Sequence, residues 1–169
     1  MTYLPNNDYR INSTTLAMQQ AFHLTYQTVI YDVKGTYYSQ KTMTELLEEA
    51  CLRGGSKMSG RLEAAKHTLA IRNKIPLIID PFTYLYAFPT HSPKHDLNSW
   101  IFLDHISEIK PHPDHSKKSI ITFRNEQYIT ASCSFSTATT QKARTTQLCY
   151  EYTVSPIRYL DRPLDPFPI

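Results

Sequence analysis

The spacing of apolar and polar residues changes period several times along the chain. Between Tyr9 and Met18, Tyr9-Arg10-Ile11 and Leu16-Ala17-Met18 flank Asn12-Ser13, which predicts a β-hairpin. Val29, Tyr31 and Val33 alternate up to Lys34-Gly35, and Tyr37-Tyr38 follow, which predicts a second hairpin. The period then shifts from two to the helical value. Met43, Leu46, Leu47, Ala50 and Cys51 fall on one helical face. Thr42 and Glu45 open that helix as a capping box, each satisfying an orphan backbone donor. Gly54-Gly55 closes it with the backbone freedom of a C-terminal cap.

Residues 56–71 fit two readings. Leu62, Ala65 and Leu69 sit at helical spacing, and Thr68 to Ile71 also reads as a strand. Pro76 opens the apolar run Leu77-Ile78-Ile79, stopped by Asp80-Pro81. Phe82, Tyr84, Tyr86 and Phe88 alternate with Leu85 and Ala87, as in a strand buried on both sides or lined by aromatics. Pro89 to Asn98 is a loop. Trp100 to Ile106 and Ser119 to Phe123 are strands, and Tyr128 to Ala131 returns as a hairpin through Arg124-Asn125-Glu126-Gln127. The Ser- and Thr-rich stretch from Thr130 to Gln147 reads as a weak helix around Phe135 to Tyr152 or as a mobile segment. These elements predict an α+β fold, mainly antiparallel β-sheet with a few short helices. The expected division is one domain over 1–155 and a proline-rich, extended tail over 156–169.

Composition narrows the function classes. The chain has 169 residues, 41% apolar and 20% charged, enough for a core without staples. No apolar run approaches the roughly 20 residues needed to span a bilayer. The first thirty residues do not read as a signal peptide. Three cysteines are too few for a disulfide framework, so a cytoplasmic location is expected. The net charge of +3 is unevenly spread. Arg53, Lys57, Arg61, Lys66, Arg72 and Lys74 stand against one acid, Glu63, so 53–74 carries +5 and the rest of the chain −2. Such a block is the footprint of an anion-binding face.

Other chemistry is sparse. No nucleophile elbow, glycine-rich phosphate loop or zinc-spaced cysteine set occurs. His91 with His95, and His112 with His115, are interrupted by prolines and read as solvated loop histidines rather than metal ligands. Cys51 reads as a small core residue. Asp104 and Asp114 have nothing that places them together as acid and base. The aromatic series Tyr84, Tyr86 and Phe88 is either core or a base-stacking platform for RNA or single strands. In the basic block, Ser56, Ser59 and Gly60 are interleaved with Lys57 and Arg61. Backbone donors there can approach a phosphate. If helical, Lys57 and Arg61 share a face.

These residues also carry a resemblance. The segments are Cys51-Leu52-Arg53 with Gly54-Gly55-Ser56 and Gly60-Arg61, then Pro76-Leu77-Ile78-Ile79-Asp80-Pro81, Phe88-Pro89-Thr90 with Ser92-Pro93, and Trp100-Ile101. In that order they resemble the ComK family of competence transcription factors. The likeness runs from about Tyr9 to Leu148 and includes Ile120 to Asn125 and Arg144-Thr145. It implies a non-enzymatic activator of genes for DNA uptake, needing neither cofactor nor metal. It also implies A·T-rich double-stranded DNA read from the minor groove by more than one protomer, with the transcription machinery as a further partner. Narrow A·T grooves attract arginine. Arg53 and Arg61 are therefore expected in the groove, and Lys57, Lys66, Arg72 and Lys74 on phosphates. Ser59 and His67 are expected as helpers, and Arg144 as a further contact. The tail departs from the family, whose longer charged extension would carry regulation by an adaptor and protease. An RNA or single-strand binder and a module for acidic proteins are the alternatives.

Overall fold

The computed structural model describes residues 3–5 and 8–153. Seven strands form the main sheet: β1 (Tyr3–Pro5), β2 (Thr15–Gln20), β3 (Thr28–Asp32), β4 (Gly35–Ser39), β5 (Leu77–Asp80), β6 (Leu85–Pro89) and β7 (Ser99–Phe102). Their spatial order is β1-β4-β3-β2-β7-β6-β5. The β1–β4 pair is parallel and the others are antiparallel. A second, antiparallel sheet has β8 (Ile106–Pro111), β9 (Ser119–Phe123) and β10 (Tyr128–Ala131), with β9 central. Three α-helices complete the described residues: α1 (Met43–Arg53), α2 (Met58–Leu69) and α3 (Phe135–Thr153). The domain is α+β, as the hydrophobic pattern predicts, and the proline-rich tail over 156–169 lies outside the described residues. No helix among the described residues is long and apolar enough to cross a membrane.

The main sheet is covered on both faces. On one face, Met18, Ile30, Leu77, Ile79, Ala87, Trp100 and Phe102 pack against Leu46, Leu47, Ala50 and Cys51 of α1 and Met58 of α2. On the other, Leu16, Ala17, Phe88 and Ile101 meet Ile106, Ile121, Phe123 and Ile129 of the second sheet and Ala138 of α3. Beside that cluster, Ile78 and Tyr86 pack with Ala65 of α2 and Leu148 of α3. Residues on alternate sides of β5, β6 and β7 thus all meet apolar partners. This explains the unbroken runs Leu77-Ile78-Ile79 and Trp100-Ile101-Phe102.

Local chemistry sets the boundaries. The Thr42 hydroxyl accepts from the Glu45 N–H, and the Glu45 carboxylate accepts from the Thr42 N–H at 2.9 Å, completing the expected box. The hairpin of β3 and β4 forms around Lys34-Gly35. Residues 58–69 take the helical alternative, with Ala65 on the buried face against Ile78 and Tyr86 and Ile71 beyond the helix end. Phe135 to Thr153 takes the helical alternative, a helix of 19 residues that ends one residue past the expected Tyr152.

Three expected strands are revised. Tyr9 to Ile11 makes no ladder. The Tyr9 hydroxyl instead donates to Asp32 at 2.6 Å and pairs with Thr15, while Tyr9 and Ile11 enter the helix-side core. Phe82 and Tyr84 lie in a turn before β6. The Asp80 carboxylate accepts from the Phe82 N–H and the Thr83 hydroxyl, and this local bonding displaces strand pairing. The strand from Trp100 breaks at a 3-10 turn, Leu103–His105, and Ile106 opens β8 in the other sheet.

Gly54 sits where α1 meets β5. A Cβ there would lie 2.8 Å from the Ile79 carbonyl oxygen. Gly55 takes φ +88°, the left-handed region. Gly54→Ala is expected to lower stability by about 1–3 kcal/mol through overpacking, read from urea midpoints. An unchanged midpoint would show that the α1–β5 contact can yield.

Candidate nucleic-acid interface

The basic block does not form one patch. Helix α2 runs between its halves, and 12 residues at about 1.5 Å each separate its ends by about 18 Å. Arg53, Lys57, Ser59 and Arg61 lie at the N-terminal end of α2. Lys66, His67, Arg72 and Lys74 lie at its C-terminal end and in the segment leading to β5.

At the first end, two arginines are bound to the protein itself. Arg53 donates from Nη2 to the Ile11 carbonyl at 3.1 Å. Arg61 donates from Nη2 to the Gly54 carbonyl at 3.0 Å, and its Nε is buried without a partner. The Arg61 charge acts inward, on Cys51 and Tyr86. Arg61, expected in the groove, has its guanidinium strapped across the α1–α2 turn. Lys57 is exposed but precedes the helix as its N-cap residue, so it does not share a helical face with Arg61. It makes no side-chain cap, and the first turn holds no acid, which leaves the helix dipole uncompensated there. Ser59 is exposed beside it, and Glu48 of α1 lines the same hollow as Lys57 and Ser59.

At the second end the cations are joined to other elements. Ala70 (φ 52°) and Lys74 (φ 50°) both take left-handed conformations, which sharply redirect the chain from α2 into β5. The Lys74 carbonyl accepts from the Gln141 amide at 2.8 Å. The same amide nitrogen donates to the Pro89 carbonyl at 2.8 Å, and the Gln141 oxygen accepts from Arg144 at 3.1 Å. Gln141 is only 1% exposed. One buried side chain thus ties α3, the end of β6 and the start of β5 together and brings Arg144 to the Lys74 side. Arg72 is exposed and lines a groove of about 380 Å³ with Lys74, Ser92 and Pro93. Lys66 pairs with Glu63 at 3.6 Å across one helical turn, and His67 is exposed.

Two residues absent from the expected face join this end. His91 and His95 stack with ring centroids 4.6 Å apart. Their loop is pinned by the buried Asn98, whose side-chain oxygen accepts from the Thr90 and His91 N–H groups. The i, i+4 spacing of the pair was the only signal in the sequence; its nearness to Lys74 depends on strand order. Burial first, then His95 and Lys74, hold the His91 pKa below the ordinary histidine value. Among the described residues no group of three or more His, Cys, Asp or Glu could hold a metal ion.

Burial decides two other assignments. Cys51 is fully buried, and that burial pushes its thiol up to about 11, as befits a core residue. Tyr86 and Phe88 are 1% and 0% exposed, so these two belong to the core and not to a stacking platform; Phe82 and Tyr84, in the preceding turn, are exposed.

The fold and this geometry define an α+β domain whose cations gather at the two ends of a helix packed on a buried sheet. Comparison with known proteins agrees with the resemblance read from the sequence. The ComK protein family model matches residues 6–155, and the chain belongs to the ComK family. It is 24% identical over 148 residues to a protein of Bacillus subtilis (strain 168) named competence transcription factor, covering 87% of this chain and 76% of that protein. No solved structure matches the chain.

Because His91 is held below its ordinary pKa, the unfolded chain takes up this proton first as pH falls. Its contribution to stability is present above the unfolded value near 6.5 and is lost as pH falls through the lower folded value. Urea unfolding between pH 7.5 and pH 5 should show this loss, and His91→Asn should flatten it. An identical pH profile in the variant would show that other groups carry the dependence.

Proposed function

We propose that this chain is a DNA-binding transcription factor that activates genes for DNA uptake. Its ComK membership and its likeness to the competence transcription factor of B. subtilis support the regulatory role. In this reading it binds A·T-rich double-stranded DNA from the minor groove as a homo-oligomer, in the cytoplasm. The carrying observation is that buried Gln141 joins Arg144 to the backbone of Lys74, which lines a groove with exposed Arg72. Arg72 reaches the minor groove, while Lys66, His67, Lys74 and Arg144 hold phosphates. Arg53, Lys57 and Ser59, one helix length away, contact flanking backbone. Arg61 acts by holding the α1–α2 turn.

A titration of A·T-rich duplex against G·C-rich duplex and single strand, at several salt concentrations, tests this. With about five phosphates neutralised per protomer, log affinity should fall against log salt with a slope of about −4 to −5. A·T-rich duplex should bind best. A flat salt response, or tighter binding to single strands, would refute the reading.

The two ends of α2 can be separated by substitution. Arg72→Ala with Lys74→Ala should weaken duplex binding more than Arg53→Ala with Lys57→Ala, and each lost phosphate contact should reduce the salt slope by about one. Arg72→Ala alone should also lower the preference for A·T-rich over G·C-rich duplex. Equal losses from the two double variants would assign the interface to both ends.

A further inference from the structure

The loop joining β2 to β3, residues 21–27, presents Phe22 at 72% exposure and Leu24 at 105%. This loop is tied down rather than slack. The Ala21 N–H donates to the Gln27 carbonyl at 3.0 Å, and the Gln27 N–H to the Ser39 carbonyl at 2.9 Å. His23 folds back: its Nδ1 accepts from the Thr25 N–H at 3.1 Å, and its ring lies 5.1 Å from Tyr26 and 6.3 Å from Tyr38. With the middle side chain turned onto the loop, its two apolar neighbours are left in water. Phe22 also has φ 49°, a conformation that bulky residues avoid and that collects at ligand-contacting positions. Neither residue contributes to a core cluster.

The loop shares one end of the main sheet with the proposed DNA face. Gln19 is opposite Ser99, Trp100 opposite Pro89, and Ala87 opposite Leu77. Residues 21–27, 90–98 and 70–76 therefore emerge side by side. Four strands at about 4.8 Å spacing put about 15 Å between the Phe22 loop and the Lys74 segment, close to the rise of four or five base pairs. Phe22 and Leu97 line one hollow together with Asp96. Across the three segments Arg72, Lys74 and Lys94 face a single acid, Asp96, and three histidines add to the rim. A second copy of this chain would bring two cationic rims together. A polyanion with an apolar interior suits both parts of the surface.

We propose that Phe22 and Leu24 form an apolar wedge that inserts from the minor groove between stacked base pairs of A·T-rich duplex, while the cations of the neighbouring segments hold the phosphates. Pyrimidine–purine steps such as TA open most readily and are the expected point of entry. The wedge unstacks that step and bends the duplex toward the remaining contacts. The inference rests on the duplex-binding reading above.

The test uses the full chain and an A·T-rich duplex carrying 2-aminopurine at its TA step and a fluorophore pair at its ends. Wild type should raise 2-aminopurine fluorescence and bring the ends closer. Phe22→Ala with Leu24→Ala should keep the salt slope, lose both signals and bind about tenfold more weakly. Phe22→Trp should retain the signals. Unchanged unstacking and bending in the double alanine variant would overturn the wedge. So would sedimentation without DNA that shows a dimer abolished by that variant, which would assign the loop to self-association. Duplex binding with the expected salt slope but no unstacking by wild type would remove the wedge and leave the DNA reading standing. No duplex binding at all would remove both.

Discussion

Burial of the main sheet on both faces is the constraint from which the rest of this molecule follows. Strands β5, β6 and β7 place apolar side chains alternately under α1 and α2 and against the second sheet and α3. With both faces of β5, β6 and β7 occupied, exposed charge has little room on these strands. It moves to the segments that leave the sheet ends, where the backbone must turn and the side chains meet water. The left-handed residues Phe22, Lys74 and Tyr84 all lie in such segments. So do the histidine pair and the cations Arg72 and Lys94.

Side chains rather than glycines hold these end segments. Gln141 reaches out of α3 to satisfy the carbonyls of Lys74 and Pro89, and its own carbonyl orients Arg144. The side-chain oxygen of Asn98 accepts from the N–H groups of Thr90 and His91. At the other end of α2, Arg53 and Arg61 cap the carbonyls of Ile11 and Gly54. Buried polar groups of this kind are destabilising when unpaired, so each bond restricts its loop to one conformation. Cations that project from a fixed segment lose less conformational entropy on meeting an anion than cations on a mobile one. The same logic applies to Phe22 and Leu24 on their braced loop.

Charge therefore has two structural uses here. Arg61 directs its hydrogen bond to the protein, and its charge faces Cys51 and Tyr86. Arg72, six residues past Lys66 of the Lys66–Glu63 pair, stands in water at the rim of a groove. Both belong to one basic run in the chain, yet one side chain is half-buried against the protein and the other is exposed.

Much of this was legible from residue order alone. The capping box at Thr42 and Glu45, the hairpin around Lys34-Gly35 and the core place of Cys51 follow from interactions within a few residues, which the chain specifies locally. The ordered motifs from Cys51 to Ile101 were enough to identify the family. Competition between local and distant partners was not legible. Tyr9 leaves a plausible strand because Asp32, 23 residues away, accepts the hydrogen bond from its hydroxyl. Phe82 leaves an alternating run because Asp80 captures its N–H. The division of the basic block had no sequence signal either, since it depends on α2 lying lengthwise between its halves. Nor did the meeting of Lys74, His91 and Arg144, which are far apart in the chain and adjacent only through strand order and one buried glutamine. Residue types and their local spacing determined the elements and the family; long-range pairing decided which charged and apolar side chains were left facing water.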